Sequence, residues 1–224
     1  MDELNALRAL ADPARAAQMA AYHKAKRPYL GVPVPGIDAL VAEWRAARDV
    51  PGRVALARAL WASDIHEARL AAARLLTQAR IPDDGAVWAL LVSWVPDFDG
   101  WALADHAMAA AGRRLVALPS RLDRVEDWTR ADSFWIRRAA LVGTLPWAKM
   151  NHPKADDLDR RERILGWAAG MADDREWFIQ KAIAWWLRDL SKRDAPRVRA
   201  FLDQHGSRLK PFARREAARL IQAD

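Results

Sequence analysis

Trp101 and Asp105 stand four residues apart in the stretch Trp101-Ala102-Leu103-Ala104-Asp105. On a helix that spacing puts an indole and a carboxylate on one face, one turn apart. Such a pair can hold a cationic group and stabilise a developing positive charge. It also fits an indole in the core with Asp105 on the rim, paired to an arginine. Lys181, Trp185 and Arg188 follow at i, i+4 and i+7. That basic–aromatic–basic stripe suits a helix laid against a nucleic-acid backbone, and equally an amphipathic rim with a buried indole. Trp186 points elsewhere and is the better core candidate. Arg137 and Arg138 are adjacent, so they diverge by about 100° on a helix. One of them can clamp a phosphate with its planar fork, or both can be solvated.

Other chemistries find no residues to carry them. The five histidines, His23, His66, His106, His152 and His205, have no ligand spacing. There is no phosphate-binding Gly-rich loop, no dinucleotide fingerprint and no Ser-His-Asp signature. Cysteine is absent, which excludes disulfides, thiolate metal sites and a cysteine nucleophile. The longest apolar run without a charge, residues 86–95, is too short to span a bilayer. Asp2 and Glu3 interrupt any apolar leader, so the N-terminus does not read as a signal peptide. A cytoplasmic protein is expected.

Net charge is +7, unevenly spread: residues 1–112 hold 12 Lys and Arg against 13 Asp and Glu, residues 113–224 hold 24 against 16. The basic half carries the Arg137–Arg138 pair and the Lys181 stripe, which suggests a polyanion partner, most simply nucleic acid. Arg outnumbers Lys 29 to 7, so a GC-rich coding bias explains part of the excess. Twelve Trp against seven Tyr and Phe is the other anomaly. Most serve packing, and a few can meet a base or a cation with a flat face.

The elements that position these residues read as helices throughout. Asp12 caps and Pro13 opens a helix over 12–26, with Tyr22 near its end. A proline-broken loop follows at 27–36. Helices are expected at 36–48, 51–62, and from Ser63 to about residue 80, Glu67 reaching back as in a capping box. After a break at 81–85, helices fit 86–94, the segment bearing Trp101 and Asp105, 113–118, 121–130, 133–145 (stopped by Pro146), 156–171, 175–191, 195–204 and 210–222. That is about twelve helices with no alternating strand pattern, an all-α array. A polar-then-Ala step recurs at Glu67-Ala68, Arg138-Ala139, Lys181-Ala182 and Glu216-Ala217, at intervals of 71, 43 and 35 residues. Periods near 35–47 with paired helices mark HEAT-type solenoids, whose concave face suits a rod-shaped ligand.

These segments resemble the AlkD-type DNA alkylation-repair glycosylases, a family of HEAT-like repeats. The resemblance is carried by Phe134-Trp135-Ile136-Arg137-Arg138-Ala139-Ala140 and by Phe178-Ile179-Gln180-Lys181-Ala182-Ile183-Ala184-Trp185. Arg214-Arg215-Glu216-Ala217 resembles the family's closing helix, and weaker likeness reaches back through 99–108 to Tyr22. Ala102 departs from the pattern, since the family often has an acid directly after the site tryptophan. The resemblance implies one HEAT-like domain over 1–224, a curved array of antiparallel helix pairs with a concave DNA-binding face. It implies Asp105 as the catalytic carboxylate, Trp101 and Trp185 as aromatic walls, Tyr22 as a third aromatic, and Arg138 near the DNA; the basic–aromatic–basic stripe adds Lys181 and Arg188 as further DNA contacts. The family excises N3- and N7-alkylated purines from duplex DNA, engaging the lesion from the backbone side while it is still stacked.

The chemistry fits without cofactor or metal. An N3- or N7-alkylpurine is cationic, so its base is already a good leaving group. What remains is to stabilise an oxocarbenium-like sugar and to position a water, and one carboxylate can do both. The expectation is a monomeric, monofunctional glycosylase acting on alkylated double-stranded DNA, nucleoid-associated while it acts and away from membranes. A non-catalytic HEAT-like scaffold that binds DNA or a protein is the alternative.

Overall fold

Local sequence sets the helix starts. The computed structural model describes residues 1–221. α2 (Pro13–His23), α4 (Val50–Ala62) and α13 (Ala195–His205) each begin with proline in the first two positions. Their caps Asp12, Asp49 and Asp194 accept the backbone N–H of Arg15, Gly52 and Arg197 at 2.9–3.1 Å. The proline lacks an N–H that the first turn could not bond anyway, and its fixed φ suits the helix. Every regular element among the described residues is helical, and no strand occurs among them.

Contacts divide the chain into two compact units, Met1–Ala117 and Leu118–Asp224. The first holds α1 (Asp2–Ala9), α2, α3 (Val34–Ala46), α4, α5 (His66–Leu76), α6 (Gly85–Ser93) and α7 (Trp101–Ala117). At its centre is α5, which packs on α1, α3, α4 and α7 and buries every residue but Arg74. Ala68, Ala71, Ala72 and Ala73 let four neighbours approach it closely. The second unit holds α8 (Leu122–Trp128), α9 (Phe134–Gly143), α10 (Leu145–Lys149), α11 (Ala155–Gly170), α12 (Trp177–Ser191), α13 and α14 (Pro211–Ala218). Here α12 is central, against α9, α10, α13 and α14. Its Ile179, Ile183, Trp186 and Leu187 are fully buried, so Trp186 is a core residue, as its helical position required.

Several boundaries differ from the sequence expectation for identifiable reasons. α1 has acids in its first turn and was not expected from sequence. α2 stops at His23 because Lys24 takes a left-handed conformation (φ 60°). The expected 113–118 helix is the end of the continuous α7. Pro146 does not stop α9. It opens α10, after a break at Thr144 whose hydroxyl bonds back to the Ala140 and Leu141 carbonyls. The last helix is shorter than 210–222, and residue 222 lies outside the described residues.

Ser63 ends α4 rather than capping α5. The Glu67 carboxylate therefore has no capping box to complete. It accepts the backbone N–H of Leu30 (2.9 Å) and Gly31 (2.7 Å) instead. That bond pulls the loop between α2 and α3 onto α5. Leu30 returns its carbonyl to the Asp12 N–H at 2.8 Å. Gly31 (φ 79°) is required at this crossing, since a Cβ there would lie 2.2 Å from the Asp12 carbonyl oxygen.

Candidate functional site

Trp101 is the first residue of α7, so its position depends on how that helix starts. Arg27, whose side chain is almost wholly buried, forms ion pairs with Asp99 and with Asp64 (3.1 Å). The first of these ties the segment just before α7 to the loop after α2. Trp101 is half-buried. Tyr22, 69% exposed, meets it edge-on with ring centroids 6.2 Å apart. His23 lies tilted against the same indole at 5.4 Å. Asp105, also half-buried, follows one turn along α7. The first unit thus brings together Trp101 and Tyr22 and sets Asp105 on the same helix.

His106 turns away from Asp105, as its 100° step predicts. Its Nδ1 is 2.8 Å from the Ala102 carbonyl and its Nε2 3.3 Å from Arg74 Nη2. Its ring lines a cavity of about 450 Å³ with Asp38, Arg45 and Arg74. Burial holds its imidazole below the ordinary histidine value, outweighing the Ala102 bond and the Asp105 and Asp38 charges.

The second unit holds the other candidates. Trp185 is half-buried, and its Nε1–H donates to Asp189 Oδ2 at 2.9 Å. Lys149 Nζ lies 5.5 Å from the Trp185 ring and 3.5 Å from Asp189, and Lys192 Nζ donates to Asp189 at 2.9 Å. Burial pushes the Asp189 carboxyl up. The Lys192 hydrogen bond and the Lys149, Lys192 and Arg188 charges overcome it, so the group lies below the usual carboxylate range. Asp189 repeats the spacing of Trp101 and Asp105, and that Trp-x-x-x-Asp recurrence is the sequence signal that could have found it.

Lys181 is exposed and sits 4.5 Å over the Trp177 ring, with no carboxylate partner among the described residues. Arg188 differs from the expected free cation: it is ion-paired with Glu216 of α14. The stripe Lys181, Trp185, Arg188 therefore offers one uncommitted cation rather than two. Arg138 differs as well. Its side chain is not solvated but 3% exposed, packed 5.8 Å over the Phe178 ring, with Nη1 donating to the Phe178 carbonyl at 2.9 Å. Arg137 bonds the Ala131 and Asp132 carbonyls (2.7 Å each) and Asp174 (2.9 Å). The aliphatic stems of both arginines pack while their heads find oxygens, so the pair ties α9 to its surroundings. Among the described residues no group of three His, Asp or Glu could hold a metal ion.

The sequence model of the family described as DNA alkylation repair enzyme matches residues 4–221. The chain belongs to this family. The fold agrees. A solved structure described as a predicted DNA alkylation repair enzyme from Enterococcus faecalis is 24% identical. It superposes with a TM-score of 0.78 over 96% of this chain and 98% of that one. AlkD2 from Streptococcus mutans is 17% identical, with a TM-score of 0.63 over 94% and 99%. Smu.31 from Streptococcus mutans UA159 is 18% identical, with a TM-score of 0.62 over 84% and 93%. At these identities the likeness shows a shared all-α, helical-repeat fold. No curated protein matches the chain. Membership in the DNA alkylation repair enzyme family implies a DNA substrate and a role in DNA repair.

Proposed function

We propose that this member of the family is a monofunctional DNA glycosylase that hydrolyses the N-glycosidic bond of N3- and N7-alkylated purines in duplex DNA. The observation that carries the reading is the start of α7. An indole braced by Tyr22 and by the Arg27–Asp99 pair stands one turn from a half-buried carboxylate. An alkylated purine already carries the positive charge that makes it leave, so no general acid is required. As the bond lengthens, charge moves onto the sugar. Asp105 stabilises that oxocarbenium character and orients the water that completes hydrolysis. The Trp101 ring and the phenol of Tyr22 offer faces to the cationic sugar and base. Trp185, in the second unit, rests on the family resemblance alone. Lys181 contacts phosphate. Arg138 and Arg188, each bonded within the protein, act as positioning residues for α12 and α14. No lysine is placed as a nucleophile, so the product is an abasic site in an intact strand.

The test is single-turnover release of N7-methylguanine from a duplex by wild type and Asp105→Asn, with melting temperature measured on the same preparations. Asn keeps the size and removes the charge, and the expected loss is about 10²-fold in rate, with duplex affinity nearly unchanged. An unchanged rate with a lowered melting temperature would give Asp105 a structural role and return the protein to the non-catalytic scaffold reading.

A further inference from the structure

Behind Trp101 lies a stack of rings that the proposed chemistry does not use. His23 touches the indole (centroids 5.4 Å, planes 44° apart) and also meets Tyr22 at 5.0 Å. On its other side it lies 4.7 Å from His66 and 6.1 Å from Tyr29, and Tyr29 stacks on His66 at 4.7 Å. His66 is 2% exposed, and neither ring nitrogen has a hydrogen-bond partner. The Glu67 clamp on Leu30 and Gly31 and a bond from the His66 N–H to the Pro28 carbonyl (3.0 Å) close the loop over this ring. An imidazole left without a partner in such a place serves as a flat apolar body. His23 is the member of the stack that joins this closed interior to Trp101.

We propose that His23 is a positioning residue for Trp101: while neutral, its ring backs the indole, and on protonation it sets a cation beside the face that the cationic lesion needs, so that excision weakens in mildly acidic solution. This rests on the glycosylase reading. The charges around the stack are known by element. From α5 come Glu67 and His66, from the adjoining loops Arg27 and Asp99, and from α7 His106. Glu67 favours a protonated His23, and burial outweighs it, so the ring lies below the ordinary histidine value. His66 is pushed down to about 3 by burial, with His23, Arg27 and His106 adding to the effect, so it stays neutral across the working range. Of the two imidazoles in the stack, His66 is closed off and His23 is half-buried and in contact with Trp101, so a proton that reaches the stack is taken up at His23. A charged imidazole is strongly hydrated and repels a second cation at the same π surface, whereas a neutral one packs against it.

Two measurements test this. In protein labelled with 5-fluorotryptophan, the Trp101 fluorine signal is assigned by its loss in Trp101→Phe. It should move as the solution is taken from about pH 7.5 to 5, with a midpoint below the ordinary histidine value of about 6.5, and it should stand still in His23→Phe. Excision is then followed on N7-methylguanine duplex, with wild type and variants compared at each pH on the same substrate and spontaneous release subtracted. The wild-type rate should fall by about threefold on acidification. His23→Phe restores a ring without a proton to gain, so it should give a flat profile at close to the neutral wild-type rate. His23→Ala leaves the indole unbacked and should be slower by about tenfold at every pH. A Trp101 signal that ignores pH, or that moves equally in His23→Phe, overturns the proposal. So does an acid limb of equal depth in His23→Phe. A signal that moves as expected in a protein that releases no base leaves His23 in its place behind Trp101 and removes the glycosylase reading instead.

Discussion

Asp189 is 5% exposed and serves three partners: the Trp185 indole N–H, Lys149 and Lys192. Asp189→Asn keeps an acceptor for the indole but leaves two ammonium groups facing a neutral amide. It should lower stability at neutral pH by about 1–3 kcal/mol, read from a urea midpoint. Because the carboxyl is held below its unfolded value, this contribution is present above about pH 4 and is lost as pH falls through the folded value. His66 acts in a different window. Its folded value, about 3, lies below its unfolded value, so the unfolded chain takes up the proton first. Stability is therefore undiminished above about pH 6.5 and falls by up to about 1.4 kcal/mol per pH unit below it. His66→Phe should make the fall of the urea midpoint between about pH 6.5 and 4 shallower, leaving the smaller part due to His23 and His106. At this scale the sequence was legible where a residue's partner is a turn away. Trp101 and Asp105 share a helix, and Trp186 is in the core. The stack behind Trp101 was not legible, because His23, Tyr29 and His66 meet only after a loop has folded back, and scattered histidines carry no spacing to read.

At the level of elements, the Asp12–Pro13 start was read correctly because cap and helix are neighbours in sequence. Glu67 shows the limit of that logic. Its spacing from Ser63 suggested a partner within its own helix, while its actual partners are backbone N–H groups 36 and 37 residues away. Replacing it with Gln turns one acceptor into a donor that faces an N–H. Glu67→Gln should cost about 1–3 kcal/mol and make the loop over residues 27–31 a preferred site of proteolysis. Arg138 is the parallel case in the second unit. Spacing could place it on either side of its helix, and the structure puts it inside, holding the first turn of α12 through the Phe178 carbonyl. Arg138→Ala should therefore lower thermal stability, by about 1.5–3 kcal/mol from the loss of a charged hydrogen bond. A melting temperature equal to wild type would return Arg138 to the surface role that the sequence suggested.

Over the whole molecule, the formal charge of +7 overstates what is available to DNA, because many arginines are committed to carboxylates or carbonyls. Lys181 is uncommitted and Arg188 is not. Binding to undamaged duplex should weaken steeply with added salt. Lys181→Ala should lessen the slope of log affinity against log salt by about one. Arg188→Ala should instead show first as a loss of stability, since it leaves Glu216 with only the exposed Arg219 (3.6 Å) and removes the ion pair that joins α12 to α14. Equal slopes for wild type and Lys181→Ala would remove Lys181 from the phosphate contacts.

The loop that crosses α5 has prolines at 28 and 33 and no helix or strand, and by secondary structure alone its amides belong among the quick exchangers. Leu30 and Gly31 do not. Their protons point into a carboxylate that is itself 0% exposed. Their exchange with deuterium requires α5 and the loop to part, so it proceeds at the pace of the unit's own opening. A loop that looks mobile in sequence thus keeps the time of the protein's core, and the wall of rings that leans on it inherits the same slow clock.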